Sequence, residues 1–190
     1  VTGDIIDESA EFNTRRFDVR PYVKKIVERI KQISSAHILL GGPGFNYYGR
    51  DWLEYLDLDY GIRGEAELAF PLYLERLEKG GDIHSVPGCI YREDGRVHKV
   101  PRELIEDLDA TALPAYQLFD LDQYIEHNIS AGIFTKRGCA FRCTFCPYRS
   151  LEGFRYRLKS PQRVVDEIEH IQKAKEPKMV SFCDNSFNVP

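Results

Sequence analysis

Three cysteines within eight residues constrain this chain more than any other feature of its sequence. Cys139, Cys143 and Cys146 have the spacing C-x3-C-x2-C, and no other segment holds more than one cysteine. A loop this short can bring three thiolates to one soft metal centre. A structural zinc site or an ordinary ferredoxin cluster, however, uses four protein ligands. The spacing therefore predicts an iron–sulfur cluster with one iron left open to a ligand that is not protein.

Two other uses of these cysteines remain as alternatives. A zinc site would need a fourth ligand from Cys183, Cys89 or a histidine, although the motif contains no histidine and Cys183 is predicted to lie in the core. A disulfide framework fits poorly with five cysteines, an odd count, in a chain of 190 residues. No signal peptide is recognisable, which favours a reducing compartment and predicts a cytoplasmic protein.

The composition excludes several classes of function. The chain is 43% hydrophobic and 29% charged, which is ordinary for a globular protein. A net charge of −4 gives no electrostatic footprint for nucleic acid, and no apolar run approaches the length of a membrane span. The chain begins at Val1 rather than methionine, so we expect an internal part of a longer protein.

Helical periodicity alternates with short apolar strands in the first half. A helix is predicted from Phe17 to Ile33, followed by a strand at 36–40 that ends in Gly41, Gly42 and Gly44. A helix at 50–56, a strand at 59–63 ending in Gly64 and Glu65, and a helix at 68–77 follow. This alternation predicts an α/β fold with a parallel sheet, in which ligands bind beyond the carboxyl ends of the strands. Glycines there let a backbone approach a bulky ligand.

The cysteine motif, with Phe145 just before its last cysteine, resembles the signature of radical S-adenosylmethionine enzymes. The resemblance implies that Cys139, Cys143 and Cys146 hold a 4Fe–4S cluster whose fourth iron binds S-adenosylmethionine, and that Phe145 lines the adenine pocket. It further implies reductive cleavage to a 5'-deoxyadenosyl radical, anaerobic chemistry, and an electron donor such as a flavodoxin or ferredoxin. The substrate class it implies is a small or lipid-like molecule. A simple electron-transfer protein and a zinc-stabilised binding module stay open as alternatives.

The two glycine turns resemble the second half of the cobalamin-binding domain that precedes many radical S-adenosylmethionine cores. That resemblance implies a flavodoxin-like, Rossmann-type domain in which Gly41, Gly42, Gly44, Gly64 and Glu65 border the cobalamin nucleotide tail. The family pattern Gly-Glu-Gly-Glu has Ala66 at its third position here, and the cobalt-ligating pattern Asp-x-His-x-x-Gly is absent. We therefore expect cobalamin as a possible third cofactor, linked to methyl transfer or a related radical modification.

Three segments are predicted along the chain. Residues 1–85 form the C-terminal part of the cobalamin-type domain, and 86–128 form a β-hairpin with an Asp94-Gly95 turn and then a linker. Residues 129–190 form the start of a partial (β/α) TIM-like barrel, its first βαβ unit. Within it, Asp184-Asn185-Ser186-Phe187-Asn188 resembles a family turn in which Asp184 helps to position S-adenosylmethionine.

Two details of the barrel segment are predicted from the residues themselves. Ser160 is the N-cap of a helix whose buried stripe is formed by Val164, Val165, Ile168 and Ile171. The basic and aromatic stretch 149–159 is interpreted as a solvated loop, with the alternative that one of its arginines steadies the substrate or the anionic parts of the active site.

Overall fold

The structure is a computed structural model that describes residues 18–126, 131–174 and 179–189. The chain divides into two compact units, one ending at Glu103 and one starting at Leu104, and each is described by itself. The predicted boundary at 128–129 lies outside the described residues. Within the described ranges, no helix combines the length and the apolarity that crossing a membrane requires.

The first unit is built on a sheet with strand order β1-β2-β3-β4 among the described residues. β1 and β2 are parallel, and β3 and β4 form an antiparallel hairpin on the far side of β2. The hairpin turns at Asp94 and Gly95, both with positive φ, as the sequence predicts. The elements are α1 (Arg20–Ile33), β1 (Leu39–Leu40), α2 (Pro43–Leu56), β2 (Tyr60–Ile62), α3 (Ala66–Lys79), β3 (Cys89–Glu93) and β4 (Arg96–Lys99).

Apolar side chains hold the first unit together. One cluster joins α1 and α2 around Val23, Val27, Phe45 and Leu53, and a second joins β2 and α3 around Tyr73. α2 is kinked at Tyr48, which has non-helical φ −118° and ψ 30°, and the part after the kink matches the predicted helix at 50–56. A first segment begins earlier, at Pro43, whose missing N–H costs nothing in a first helical turn. Of the predicted glycine turn at 41–44, only the first two residues therefore precede the helix.

The second unit contains two small sheets and one long helix among its described residues. β5 and β8 are parallel, and β6 pairs with β7 in the antiparallel sense. Ser160 caps the long helix, since its Oγ accepts a hydrogen bond from the N–H of Arg163 at 3.1 Å. The elements are α4 (Leu121–Glu126), β5 (Ala131–Ile133), β6 (Lys136–Arg137), α5 (Tyr148–Glu152), β7 (Arg157–Leu158), α6 (Pro161–Ala174) and β8 (Val180–Phe182).

The α/β prediction is confirmed, whereas the barrel stays a prediction. Two details in the second unit are wrong. Val165 is 45% exposed, and Glu167, on the same face as Val164 and Ile171, is buried instead. Cys183 is exposed rather than in the core. It lies beside Gly132 of the neighbouring strand, which has no side chain to cover the thiol.

Candidate metal centre

The three cysteines lie in a loop whose two ends are fastened together. β6 leads into the loop, and β7, paired with β6, leads out of it. The N–H of Cys139 donates to the carbonyl of Gly153 at 3.2 Å, just inside the strands. We call β6, β7 and this hydrogen bond the neck of the loop. A hydrogen-bonded neck fixes where the loop starts and ends, because both flanking segments belong to one ladder.

Gly138 allows the neck to close. Its φ is +88°, and a Cβ at this position would lie 2.0 Å from the carbonyl oxygen of Arg155. A larger residue would be strained in both respects, since positive φ and this separation each exclude a side chain. The glycine before the first cysteine therefore has a definite structural role.

Glu152, at the end of α5, braces the same neck through its side chain. Its Oε2 accepts hydrogen bonds from the N–H of Gly138 at 3.1 Å and from Nδ2 of Asn185 at 2.9 Å. Asn185 follows β8, so this carboxylate joins the start of the cysteine loop to the turn after that strand. Sequence reasoning did not find Glu152, because no pattern distinguishes it from a solvated glutamate in a basic stretch.

Asp184 holds the chain just before the neck. One carboxylate oxygen accepts from the N–H groups of Thr135 at 2.8 Å and Lys136 at 3.1 Å. The other accepts from Oγ1 of Thr135 at 2.6 Å. Both oxygens are thus engaged with the segment that leads to Cys139. That Asp184 helps to position S-adenosylmethionine stays a prediction.

The three thiols differ in exposure. Cys139 is 7% exposed, Cys146 is half-buried and Cys143 is exposed. The Sγ of Cys139 lies 4.0 Å from the hydroxyl of Tyr156, and partial burial together with this thiol raises the pKa of that phenol. Among the described residues, no three His, Cys, Asp or Glu side chains are gathered closely enough to hold a metal ion. Phe145, within the loop, is 87% exposed.

Two buried cations lie in the strands that flank the loop, Lys136 in β6 and Arg157 in β7. Arg157 is 4% exposed and donates to the backbone carbonyls of Ile105 at 2.6 Å and Glu152 at 2.7 Å. Lys136 is 5% exposed, donates to the carbonyls of Phe187 and Val189, and lies over the ring of Tyr156. The solvated-loop interpretation of residues 149–159 is therefore wrong for Arg157, whose charge is needed inside the unit.

The predicted cofactor glycines of the first unit lie after β1 and β2. Gly41 and Gly42 follow β1, Gly44 is buried in the first turn of α2, and Gly64 and Glu65 follow β2. Because β1 and β2 are parallel neighbours, the two turns meet at the same edge of the sheet. Gly64 has φ +102°, and its N–H donates to Oδ1 of Asn46 at 2.6 Å.

No protein-family model matches the chain, but individual proteins do. An uncharacterized methyltransferase of Pyrococcus horikoshii is 31% identical over 170 residues, covering 88% of this chain and 37% of that protein. The hopanoid C-3 methylase of Methylococcus capsulatus is 31% identical over 161 residues, covering 82% of this chain and 30% of the methylase. These alignments extend over both units.

A solved structure agrees with these relatives. The radical S-adenosylmethionine methyltransferase TsrM from Kitasatospora setae, with cobalamin and a [4Fe-4S] cluster bound, has a TM-score of 0.73 at 23% identity. It is matched over 90% of this chain and 34% of TsrM. The chain shares its fold with this radical S-adenosylmethionine methyltransferase. The resemblance inferred from its cysteine and glycine motifs is confirmed. The chain spans 37% and 30% of the two curated relatives' lengths.

Proposed function

We propose that the whole protein is a radical S-adenosylmethionine enzyme that transfers a methyl group or performs a related radical modification. The observation that supports this most directly is the cysteine loop: three free cysteines with the spacing C-x3-C-x2-C lie in one loop between two paired strands. The names of the relatives, a methyltransferase and a hopanoid methylase, support the same reaction class.

The donor set fits a 4Fe–4S cluster. Thiolates are the ligands that such clusters use, and Cys139, Cys143 and Cys146 are free cysteines in one loop. A cluster bound there would supply the electron for reductive cleavage of S-adenosylmethionine to methionine and the 5'-deoxyadenosyl radical. Three protein ligands would leave one iron for the nucleoside, whereas a fourth protein ligand would close the site.

We assign the binding and orienting of the cofactors to side chains of this chain around that loop. Phe145 offers an exposed aromatic face for an adenine ring. Asp184 keeps Thr135 and Lys136 in place with both of its oxygens, so we assign it the task of shaping the approach to the cofactor. Lys136 and Arg157 donate to the backbone carbonyls of Phe187 and Ile105, which satisfies these groups without water.

For the first unit we propose cobalamin as a cofactor of the whole protein. Gly41, Gly42 and Gly44 on one turn, with Gly64 and Glu65 on the other, would border its nucleotide tail, since both turns lie at one edge of the sheet. The cobalt-ligating pattern Asp-x-His-x-x-Gly is absent from these 190 residues. We therefore assign the tail, and not the cobalt, to this part of the protein.

The decisive experiment is anaerobic reconstitution of the full-length protein with iron and sulfide. We expect a 4Fe–4S absorption and EPR signature that S-adenosylmethionine perturbs, and release of 5'-deoxyadenosine on reduction by a flavodoxin or ferredoxin. Cys143→Ser should abolish the cluster, whereas Cys183→Ser and Cys89→Ser should keep it.

Other outcomes identify other functions. A cluster that ignores S-adenosylmethionine and is lost in Cys183→Ser would have four protein ligands and would indicate an electron-transfer protein. Stoichiometric zinc that survives exposure to air would indicate a zinc-stabilised binding module. The substrate we propose is a small or lipid-like molecule, which competition among candidate methyl acceptors for turnover would test.

A further inference from the structure

Glu152 ties three separate parts of the second unit together. Its Oε2 accepts from the N–H of Gly138 at 3.1 Å and from Nδ2 of Asn185 at 2.9 Å. Its backbone carbonyl accepts from Nη2 of the buried Arg157 at 2.7 Å. One residue therefore contacts the start of the cysteine loop, the turn after β8, and the strand that leaves the loop.

Backbone hydrogen bonds fix the position of Cys139, the first cysteine of the loop. Gly138 directly precedes Cys139, and the N–H of Cys139 is itself bonded to the carbonyl of Gly153, the residue after Glu152. Asp184 independently fixes the N–H groups of Thr135 and Lys136. Nearly every backbone donor on the approach to Cys139 is thus bound by a carboxylate or a carbonyl of the same unit.

The other two cysteines are placed differently. Cys143 is exposed and Cys146 is half-buried, and the segment between Cys139 and Pro147 contains neither helix nor strand. The N–H of Cys146 donates to the carbonyl of Cys143 at 3.3 Å, a bond that stays within the loop. These two thiols are therefore less enclosed than Cys139, and the bond between them does not tie them to the rest of the unit.

We propose that Glu152 is a positioning residue that fixes Cys139 in its buried place before any metal is bound. Cys139 is then the preformed ligand, to which the more exposed part of the loop adds Cys143 and Cys146. The part concerning metal rests on the function proposed above, whereas the part concerning the thiol does not.

Alkylation of the metal-free, reduced full-length protein tests the second part directly. We measure the rate at which iodoacetamide modifies each cysteine by mass spectrometry of the peptides. In the wild type we expect Cys139 to react more slowly than Cys143 and Cys146, because a buried thiol reacts only on local opening. In Glu152→Ala we expect the Cys139 rate to rise about tenfold, since a charge-assisted brace is lost.

Three further variants separate the brace from general damage. Glu152→Gln keeps an oxygen acceptor for Gly138 and should restore most of the protection. Asn185→Ala removes only the contact to the turn after β8 and should give a smaller increase. Glu169→Ala, an exposed carboxylate on α6, should change nothing.

For each variant, we measure hydrogen exchange of the α6 amides alongside the alkylation rate. The proposal is supported if Glu152→Ala accelerates the alkylation of Cys139 alone and leaves the exchange protection of α6 unchanged. An unchanged Cys139 rate overturns it, and so does acceleration accompanied by lost protection in α6, because the unit has then opened as a whole. Iron retained per protein after reconstitution should fall in Glu152→Ala and recover in Glu152→Gln. A wild type that never binds a cluster refutes the proposed function but leaves the alkylation result valid.

Discussion

The two units of this chain bury different kinds of side chain. In the first, the buried residues are apolar and form two continuous clusters around Leu53 and Tyr73. In the second, the described residues bury a few apolar side chains and also three charged ones, Lys136, Arg157 and Glu167. Apolar packing is tolerant and non-directional, whereas a buried charge is costly unless it is paired or hydrogen-bonded.

That difference matches what each unit must do. The glycine turns of the first unit need only a firm sheet behind them, which an apolar core provides. The second unit contains irregular backbone around its short strands, and buried carbonyls there need donors other than water. Arg157 donates to the carbonyls of Ile105 and Glu152, and Lys136 donates to those of Phe187 and Val189, so the second unit is ordered by specific contacts. Single substitutions that leave one buried charge unpaired should therefore damage it most.

The largest effect should come from breaking the ion pair between Glu167 and Lys159. Their side chains are only 5% and 12% exposed. Glu167→Ala leaves a buried ammonium without its partner, which we expect to cost roughly 3–5 kcal/mol of unfolding free energy. Hydrogen exchange of α6 measures it, and Glu169→Ala on the exposed side of the same helix is the matched control. Equal losses in both variants would show that the burial of the pair does not matter.

A comparable but smaller loss is expected in the first unit from Leu53→Ala. Leu53 is fully buried, and truncation in a packed core costs about 2–5 kcal/mol. Trp52 is the single tryptophan of the sequence and lies in this unit, so its fluorescence during urea unfolding reports on the first unit. Leu68→Ala, at a side chain that is 65% exposed, is the control. If Glu167→Ala shifts the Trp52 transition as strongly as Leu53→Ala does, the two units unfold together and the contrast fails.

Much of this arrangement was predictable because it is local. Ser160 caps α6 and the Asp94-Gly95 pair turns the hairpin, since neither feature needs residues from elsewhere in the chain. The burial of Glu167 in place of Val165 was not predictable in the same way. Periodicity puts Glu167 on the buried face, but the carboxylate is stable there because the fold brings Lys159 to it as an ion-pair partner. Likewise the sequence alone does not distinguish Arg157 from a solvated arginine, because its hydrogen bond to the carbonyl of Ile105 depends on the fold.

Gly138 and Gly95 allow a closer comparison between the units. Both have positive φ, but a Cβ at Gly138 would clash with the carbonyl of Arg155, whereas nothing lies within 4 Å of one at Gly95. Gly95→Ala should cost only the backbone strain, about 1–2 kcal/mol. Gly138→Ala should cost about 1–3 kcal/mol more, because the neck must open. Urea unfolding checks both, and reconstituted iron per protein should fall only in Gly138→Ala. Equal costs would mean that the neck already tolerates a wider spacing.

The smallest effect concerns pH and the start of α6 in the second unit. Hydrogen bonds to Asp109 from the side chain of Ser160 and from its N–H, the latter at 2.9 Å, hold the pKa of that carboxyl below its ordinary value of 3.8. A depressed folded-state pKa means that the stabilisation is complete above 3.8 and is lost as the pH falls through the lower folded-state value. Acid should therefore weaken protection at the start of α6 in the wild type. Asp109→Asn, which keeps an oxygen acceptor but cannot titrate, should show a shallower dependence. Hydrogen exchange of α6 between about pH 5 and pH 2.5, corrected for the intrinsic rates, measures the difference. Identical profiles in the two proteins would remove Asp109 from the polar contacts that order the second unit.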